Sequence, residues 1–586
     1  MRLEDYWGIG PKTRELLASE LGVETAIEAI ESGDVRTLTA AGLSRGRATR
    51  ILRRVEGGPA MDVLATRDAR EVYKDLLDVI GQYAVTDHAA DRIRLLTPLS
   101  DRTDIEERLD AVIDARDTWT RLDEESRKAI MSAFESYESQ GDSEQSAVTA
   151  ALELADLGVD SGVFEPLQEL DNDALVAARD ALATLSEDGS VAAGADDELD
   201  RLDDQLGTVE DLAATPEEVV ESVRDEIRTP DAFEEGVLDH VAAETAVDVG
   251  RIREAMPDEA VDARDFVAET LRTLADDLRS AVDERTETVA ADARGTIEDT
   301  RSEIDAAVET VDDVAFLLSL SRFAIDFDLV RPEFALDSDV LAVEAARNVF
   351  LQAAEEDIQP VTYAVGEQSL EFPRSNAPPS GDRVAVLTGA NSGGKTTLLE
   401  TLAQVQLLAQ MGLPVPAETA EVGFVDAIVF HRRHASFNAG VLEATLKNVV
   451  PPLSADGHAL MLVDEFEAIT EPGSAADLLH GLVTLTVDRE ALGVFVTHLA
   501  DDLEPLPETA RVDGIFAEGL TPDLDLEVDY QPRFGTVGRS TPEFIVSRLV
   551  ANADDREERA GFDTLARAIG QEAVQRTLSD AKWSRD

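Results

Sequence analysis

The chain has 586 residues, which is too long for one compact core and predicts about three to five units. Its net charge of -70 comes from 122 acidic and 52 basic residues, and only six of the basic residues are lysines. An acidic, lysine-poor and arginine-retaining composition is typical of adaptation to molar salt. It does not predict a disordered chain, because 44% of the residues are apolar and the polar stretches keep a helical period.

Missing residue types and segments narrow the chemistry. The chain contains no cysteine, which excludes disulfides, thiolate zinc sites and a cysteine nucleophile. No apolar run has the length of a membrane span, and the N-terminal MRLEDYWGIG lacks the apolar core of a signal peptide. We therefore expect a cytoplasmic protein without a membrane partner. The acidity argues against simple electrostatic binding of nucleic acid, but at about 1 M salt the Debye length is about 3 Å and only close contacts matter.

A first small domain is predicted over residues 1–57. Residues 1–56 carry nine basic and nine acidic residues, and six arginines lie between 35 and 55 without an acid. Two glycine turns, WGIGPKTRELL at 7–17 and AGLSRGRATRILRR at 41–54, each precede a helix-like apolar pattern. The pair resembles a tandem helix-hairpin-helix DNA-binding domain, in which backbone N–H groups contact a DNA phosphate. The alternative is a helical docking module whose glycines cap helices. The DNA contacts that the resemblance implies are Gly8, Gly10, Lys12, Thr13, Gly42, Arg45, Gly46 and Arg47.

Two helical regions are predicted next. Residues 58–257 are acidic and punctuated by prolines, which predicts a helical acidic core region without an assignable motif. Residues 258–330 contain no proline, and their apolar residues recur at spacings of three, four and seven, which predicts one or two long helices with a packing seam. Gly295 marks either a turn between two antiparallel arms or a weak point in one arm.

A P-loop is predicted within an α/β domain over residues 331–545. The apolar strand at 384–388 leads into GANSGGKT at 389–396. In such a loop backbone N–H groups surround the phosphates, Lys395 reaches the β- and γ-phosphates, and the Thr396 hydroxyl holds Mg²⁺. The nucleotide-binding residues predicted in this stretch are Gly389, Asn391, Ser392, Gly393, Gly394, Lys395, Thr396 and Thr397.

Two further apolar strands end in polar side chains. HALMLVDEF at 458–466 contains Asp464 and Glu465, and LGVFVTHL at 492–499 ends near His498. A carboxylate at the end of a parallel strand can hold Mg²⁺, which assigns Asp464 to the metal together with Thr396. Glu465 is predicted to polarise the attacking water, and His498 to sense the γ-phosphate. The predicted catalytic residues are Glu465, Lys395 and His498, with ATP and Mg²⁺ as cofactors.

The order of these motifs resembles the MutS family, whose ATPase belongs to the ABC class. TGANSGGKTT is similar to the family's TGPNxGGKS/T loop, and LLAQMGLPVPAE is similar to the segment after its P-loop helix. DEFEAITEPGSAADLL follows the family's Asp-Glu pattern in a degraded form. The segments DVAFLLSLSRFAIDFDLVRPEF, GIFAEGL and GRSTPEFIVSRL are similar to further family segments, so the resemblance covers about residues 260–550.

The resemblance implies an architecture and a dimer. It implies a multidomain protein in which an α/β P-loop ABC-type ATPase domain follows an all-α lever and clamp region over 258–330. It also implies a helical dimerisation tail over 546–586. In the implied homodimer, one P-loop and the partner's signature loop enclose the nucleotide.

Two nucleotide contacts rest on the resemblance alone. Gln410 in LLAQMGLPVPAE takes the place of the Q-loop residue. The signature loop that acts in trans falls in RRHASFNAGVLEATL, where Ser436 with Phe437 is the preferred equivalent. An alignment on Glu443 puts Asn438 there instead.

Differences from the family bear on the DNA that is recognised. Members that detect mismatches carry an N-terminal Phe-x-Glu wedge, whereas this N-terminus has the hairpin module, and Phe233-Glu234-Glu235 is interpreted as a chance triplet. Residues 550–586 are short for the nuclease domain of some recombination-type relatives. By family analogy we expect ATP hydrolysis to control clamping on branched or recombination DNA.

Several alternatives stay open. The first is mismatch-repair MutS proper. The others are a chromosome-structure or ribosome-associated ABC ATPase, and a nucleotide-gated scaffold without turnover. The retained Lys395, Asp464 and Glu465 favour hydrolysis. His431 and His434 are spaced for a metal, but the arginines between them favour a solvent or loop role.

Overall fold

Most of the described chain is helical, and side-chain caps set where many of the helices begin. Asp34, Thr66, Asp101 and Asp262 each accept a hydrogen bond from a backbone N–H in the first turn of the helix that follows. The computed structural model describes Leu3, Tyr6, Val574 and residues 9–141, 143–186, 189–224, 230–335, 339–374, 376–389, 394–433, 439–454, 457–466, 472–520, 526–538, 542–553 and 556–570. Within those residues no helix is long and apolar enough to cross a membrane.

The chain divides into two units. The first joins Met1–Arg127 to Val314–Asp586, and the second is Lys128–Asp313. These divisions differ from the predicted domain boundaries at 57, 257 and 330. The physical reason lies in the apolar residues after 58. Leu64, Val72 and Val112, for example, are buried in the same core as Leu387 and Leu399, which flank the predicted P-loop.

The first unit begins with seven α-helices of the described chain. The first four pack around buried residues such as Leu17, Ile30 and Leu52, and Leu95 from the sixth helix joins that core. The turn between the third and fourth helices uses Gly42 at a φ of 93°, a conformation that residues with a side chain rarely adopt. The helices are α1 (Pro11–Glu20), α2 (Val23–Glu31), α3 (Val35–Ala40), α4 (Arg45–Gly57), α5 (Arg67–Ile80), α6 (Asp87–Leu95) and α7 (Arg102–Arg121).

The second unit is mostly helical in its described part, and its first and last helices cross the boundaries of the unit. Leu271, Leu274 and Leu278 form an apolar seam that is fully buried against neighbouring helices. The Arg285 guanidinium hydrogen-bonds Asp196 and lowers the pKa of that carboxyl to about 2. The helices are α8 (Glu124–Ser139), α9 (Glu144–Asp156), α10 (Glu165–Gln168), α11 (Asn172–Thr184), α12 (Asp197–Ala214), α13 (Pro216–Arg224), α14 (Pro230–Thr245), α15 (Val249–Ala255), α16 (Ala263–Asp299) and α17 (Arg301–Asp326).

The predicted long helices are α16 and α17. Gly295 lies inside α16 and marks no turn there, and the interruption falls instead at Thr300. The backbone continues across it, because Ile304 N donates to Thr300 O at 3.0 Å. Of the two alternatives weighed for Gly295, the turn between antiparallel arms is therefore wrong.

The rest of the first unit contains two sheets. One has the strand order β1-β5-β2-β3, and the other has the order β10-β9-β4-β8-β7-β6. In the larger sheet neighbouring strands run parallel, apart from β10, which pairs antiparallel with β9. The strands are β1 (Glu333–Phe334), β2 (Val340–Ala346), β3 (Val361–Gly366), β4 (Val384–Gly389), β5 (Thr419–Val422), β6 (Ala427–His431), β7 (Ala459–Asp464), β8 (Leu492–Val496), β9 (Ala510–Leu520) and β10 (Leu526–Phe534). The helices are α18 (Val349–Ala353), α19 (Gly394–Gln410), α20 (Ala439–Ser454), α21 (Pro472–Asp488), α22 (Pro542–Asn552) and α23 (Arg556–Ile569).

The larger sheet is covered on both faces, which explains why its strands are apolar throughout. Ala385 and Leu387 of β4 belong to the core that contains α5 and α19. Val384 and Val386 belong to the core on the other face, which contains α20 and α21. The predicted α/β class of this part of the chain agrees with this layered arrangement.

Residues just before α5 extend the edge of the larger sheet. Leu64 forms a parallel bridge with Ile428 of β6. The buried Thr66 hydroxyl donates to Phe430 O at 2.6 Å and accepts from Phe430 N at 3.1 Å. The same hydroxyl caps α5 by accepting from Ala69 N at 3.3 Å. One side chain therefore fixes both the start of α5 and its position on the sheet.

We predict that Thr66→Val destabilises the first unit. Valine keeps the shape but leaves buried N–H and C=O groups of Phe430 without this partner and removes the cap, at a cost of about 2–4 kcal/mol. Urea unfolding at fixed molar KCl measures the loss. Thr120→Val is the control, because the exposed Thr120 hydroxyl donates to Arg116 O within α7 and its loss costs less than about 0.5 kcal/mol. Equal unfolding midpoints for the two variants would contradict the anchoring role of Thr66.

Candidate functional site

The carboxyl ends of three parallel strands form the candidate site. Strand β8 lies between β4 and β7. Leu387 of β4 and Asp464 of β7 both pair with Val496 of β8, so the three strands end level with one another. Side chains that follow these strands therefore meet at one edge of the sheet, which is where open α/β sheets bind ligands.

The hydroxyl and carboxylate predicted to hold a metal are in contact. Thr396 Oγ1 donates to Asp464 Oδ2 at 2.7 Å, and Asp464 is buried. Mg²⁺ commonly takes one or two protein oxygens and completes its shell with waters and substrate phosphates. The oxygen pair fits that ion. Among the residues the structure describes, no group of three or more His, Asp and Glu side chains is arranged to hold a metal by itself.

Lys395 is buried at the start of α19 with its ammonium directed to the beginning of its own loop. The residue is only 4% exposed, and Nζ donates to Gly389 O at 2.9 Å. Burying a lysine ammonium is costly unless it has close acceptors. The position therefore suits a lysine that exchanges a backbone carbonyl for phosphate oxygens.

Glu465 is held by two basic side chains. His498 Nε2 lies 3.0 Å from Oε1, and Arg433 donates to Oε2 at 2.6 Å. The backbone of Glu465 has a φ of 42°, which is unusual for a residue with a side chain. A backbone hydrogen bond to β8 fixes that conformation, because Glu465 N donates to Val496 O at 3.0 Å. The carboxylate therefore has a defined position and no unengaged oxygen.

Sequence reasoning missed Arg433 and its neighbour Arg432. Arg432 N donates to Asp68 Oδ2 at 2.7 Å, and its guanidinium pairs with Glu400 at 2.6 Å. Burial raises the pKa of Glu400, and Arg432 opposes that shift. The arginines follow β6 without a recognisable motif, so only the parallel placement of β6 beside β7 gives a reason to connect them with Glu465.

Two cavities adjoin this edge of the sheet. One of about 220 Å³ lies beside the first turn of α19, and Tyr530 of β10 forms part of its wall. The Tyr530 ring is so close to Gly394 that a Cβ there would lie 2.3 Å from Cδ1. The other, of about 810 Å³, is lined at the strand ends by Gly389 and His498, among others. Tyr530 was missed because nothing local to β10 indicates a ligand site. The polar side chains of the smaller cavity include Asn348, Gln359, Thr397 and Thr401.

Comparison with known proteins bears on this edge of the sheet. Residues 385–501 match the family model of MutS domain V. This segment of the chain is therefore similar to MutS domain V. The matched residues include 385–389 of β4, all of α19, Asp464, Glu465 and His498. The MutS-like segment therefore contains the side chains that meet at the strand ends.

Curated relatives resemble parts of the chain. A DNA-binding protein MutS2 from Pyrococcus furiosus is 42% identical over 259 residues, which is 44% of this chain and 43% of that protein. An endonuclease MutS2 from Thermus thermophilus is 32% identical over 174 residues, or 29% of this chain and 23% of its own length. A DNA mismatch repair protein MutS from Natronomonas pharaonis is 27% identical over 274 residues, or 42% and 30%. The chain thus spans less than half the length of these relatives.

One residue assigned by the MutS resemblance does not reach the site. Gln410 ends α19, about 24 Å along the helix from Gly394. It is 2% exposed, donates to Val425 O at 2.8 Å and accepts from Gln406 at 3.0 Å. The predicted nucleotide contact of Gln410 is therefore wrong, because the residue is buried at the opposite end of the P-loop helix.

Seven residues named from the sequence lie outside the residues that the structure describes. They are Asn391, Ser392, Gly393, His434, Ser436, Phe437 and Asn438. Thr397 is described and lines the smaller cavity. His431 is 6% exposed and is the last residue of β6, so the solvent or loop role predicted for it is wrong.

The predicted DNA contacts of the N-terminal helices have different surroundings. Gly8 lies outside the described residues, while Lys12 and Gly46 are exposed and Gly10 precedes α1. Thr13 is 2% exposed and accepts a hydrogen bond from Arg47 at 2.5 Å. The predicted DNA contact of Thr13 is therefore wrong, because the residue is buried and its hydroxyl joins α1 to α4. Arg45 is half-exposed and pairs with Asp91.

We predict that Gly394→Ala weakens ATP binding at least about tenfold, a loss of about 1.4 kcal/mol. The added methyl group would overlap the Tyr530 ring, so either the ring or the loop must move. Isothermal titration calorimetry measures the affinity. Gly481→Ala in α21 is the control, because a Cβ there has nothing within 4 Å. Wild-type affinity of Gly394→Ala contradicts the prediction, and recovery in Gly394→Ala/Tyr530→Ala identifies the ring as the cause.

Proposed function

We propose that the chain is an ATP-dependent DNA-binding protein of the MutS family that hydrolyses ATP. The observation that carries the proposal is the contact between Thr396 and Asp464 beside the held carboxylate of Glu465. These residues lie in the segment that matches MutS domain V. The relatives named DNA-binding protein MutS2 and endonuclease MutS2 support DNA as the partner.

In the proposed reaction, water attacks the γ-phosphate in line with the leaving oxygen, and fixed positive groups neutralise the charge. Lys395 exchanges its contact with Gly389 O for oxygens of the β- and γ-phosphates. Thr396 and Asp464 would hold Mg²⁺, which when bound adds positive charge at the phosphates. The 220 Å³ cavity beside Tyr530 is the proposed place of the nucleoside.

Glu465 is the proposed acceptor for the attacking water. Both of its oxygens are engaged, one by His498 and one by Arg433. A carboxylate can accept a hydrogen bond from water in the required direction only if one of these contacts opens or shares the oxygen. We propose that His498, which follows β8 at the strand ends, stays near the γ-phosphate while Arg433 moves away.

The dimer and the DNA target are finer parts of the proposal. We propose a homodimer in which Ser436 contributes to the partner's nucleotide site, and in which α16 and α17 act as lever and clamp arms. By family analogy the target is branched or recombination DNA. Mismatch repair stays the alternative, and the similarity to a DNA mismatch repair protein MutS favours testing it directly.

We predict that Glu465→Gln lowers the single-turnover rate of ATP hydrolysis at least about 100-fold, because an amide cannot act as a base for the water. ATP affinity should change less than about threefold, since the substitution leaves Lys395 and Thr396 in place. The variant should accumulate as an ATP-bound dimer in size-exclusion chromatography. Glu518→Gln is the control, because Glu518 also pairs with an arginine but lies exposed on β9. A variant that stays monomeric with ATP would argue against the composite site.

We predict that DNA changes the steady-state ATPase rate in molar KCl. The four arms are no DNA, linear duplex, mismatched duplex and a four-way junction, and the junction should give the largest change. Lys395→Ala, which loses the phosphate contact, establishes the background rate. If no DNA changes the ATPase rate, the proposal of a DNA-dependent ATPase is wrong. If the mismatched duplex changes the rate more than the four-way junction does, mismatched DNA replaces branched DNA as the proposed target.

A further inference from the structure

A basic groove of about 480 Å³ lies between α4, α5 and α6 in the first unit. Five positively charged side chains line it, together with one carboxylate, Asp78. The chain as a whole has a net charge of -70, so this groove is a local exception. Close contacts decide binding at high salt, where long-range attraction is screened. The five charged side chains are Arg45, Arg50, Arg53, Lys74 and Arg94.

Part of the groove is held in place by a buried carboxylate. Asp91, which is 3% exposed, accepts two hydrogen bonds from Arg45 at 2.8 Å and one from Arg94 at 2.9 Å. Arg53 donates to Arg94 O at 2.8 Å and lies over the Tyr73 ring at 5.4 Å. One carboxylate thus pairs with two of three oriented guanidinium groups and offsets only one of their charges. The wall stays positive, and these three arginines lose little further side-chain freedom when an anion binds.

The two other cations are exposed and available. Arg50 has no ion-pair partner in the part of the chain that the structure describes. Lys74 is 69% exposed and pairs only at 3.6 Å with Asp78, four residues along α5. An exposed pair of that kind contributes less than about 1 kcal/mol, so a phosphate can displace it.

The start of α4 adds to the same groove. Arg45 and Gly46 open the helix, and the N-cap Ser44 makes no side-chain hydrogen bond to the first turn. First-turn N–H groups without a cap favour an anion, and arginine guanidinium groups match phosphate oxygens in geometry. The lining residues include no aromatic ring among those described, so the groove offers contacts to a backbone rather than stacking for bases.

We infer that this groove binds the sugar-phosphate backbone of duplex DNA through Arg50 and Lys74, on a wall fixed by Asp91. The inference rests on the proposed DNA-binding function and extends it. The hairpin resemblance assigns contacts to α1 and α4, whereas the groove adds residues of α5 and α6. DNA then spans the junction between the N-terminal helices and the helices that follow them, without reading its sequence.

The test is the binding of a fluorescent linear duplex to the full chain, followed by anisotropy over a KCl series. For Arg50→Gln/Lys74→Gln we expect affinity to fall about tenfold or more. The slope of log affinity against log salt should become shallower by about two, because each lost phosphate contact removes about 0.9. Lys447→Gln is the matched control, since Lys447 is 71% exposed and has the same i,i+4 pairing with a carboxylate.

A second variant reverses a charge instead of removing one. Arg50 is exposed on α4 and is not one of the hairpin contacts, so Arg50→Glu places a carboxylate at the groove alone. We expect a loss of DNA affinity at least as large as in the first variant, with circular dichroism unchanged.

The outcomes separate this inference from the proposed function. Wild-type affinity and slope in both groove variants, with loss only in Lys12→Gln, overturn the groove and leave DNA binding by the hairpin. A wild-type chain that binds no duplex overturns the proposed function itself. Tighter binding of an RNA duplex of the same sequence overturns DNA as the ligand. Release of bound DNA by inorganic phosphate, at concentrations where KCl of equal ionic strength has no effect, overturns the backbone in favour of a small anion.

Discussion

The level ending of β4, β8 and β7 is the constraint on which the candidate site depends. Parallel pairing in this register puts Thr396, Glu465 and His498 at one edge although they come from distant parts of the sequence. The apolar strands enforce the register, because a slip by one residue would turn each strand's side chains toward the wrong core. The geometry of the candidate site therefore follows from the packing of two cores on the faces of one sheet.

A buried polar cluster contacts β4, the strand that precedes the predicted P-loop. Tyr363 of the smaller sheet donates to Asp513 at 2.9 Å, and Arg511 donates to the same carboxylate at 2.9 Å. Burial raises the pKa of Asp513, and Arg511 opposes that shift. Thr388, the residue before Gly389, donates to the Asp513 carbonyl at 2.9 Å. Removing one partner of a buried ion pair costs about 3–5 kcal/mol. The cluster therefore stabilises the contact between the two sheets next to the start of the predicted P-loop.

Local signals in the sequence predicted the parts of the site that are contiguous with a strand. The P-loop, Asp464 and His498 each follow an apolar run, so the motif and its element could be recognised together. Arg433 and Tyr530 could not be predicted, because their relevance arises only when β6 and β10 take their places in the sheet. Gln410 was assigned to the nucleotide although it lies far from the strand ends. A resemblance aligns residues but does not give the distance between the two ends of α19. The packing of residues 58–127 against the strands and helices that flank the predicted P-loop could not be predicted either. Periodicity identifies the apolar face of a helix but not the element that covers it.

Helix α5 has a different role on each of its sides. Lys74 and Asp78 line the basic groove, while Leu76 is buried in the core that contains Leu398 of the P-loop helix. Thr66 pins its first turn to the sheet edge next to the arginines that reach Glu400 and Glu465. A single helix, about 10 Å across, therefore separates the proposed polyanion site from the proposed phosphate site. Thermodynamic linkage makes any communication through this partition symmetric: whatever factor nucleotide imposes on DNA affinity, DNA must impose on nucleotide affinity.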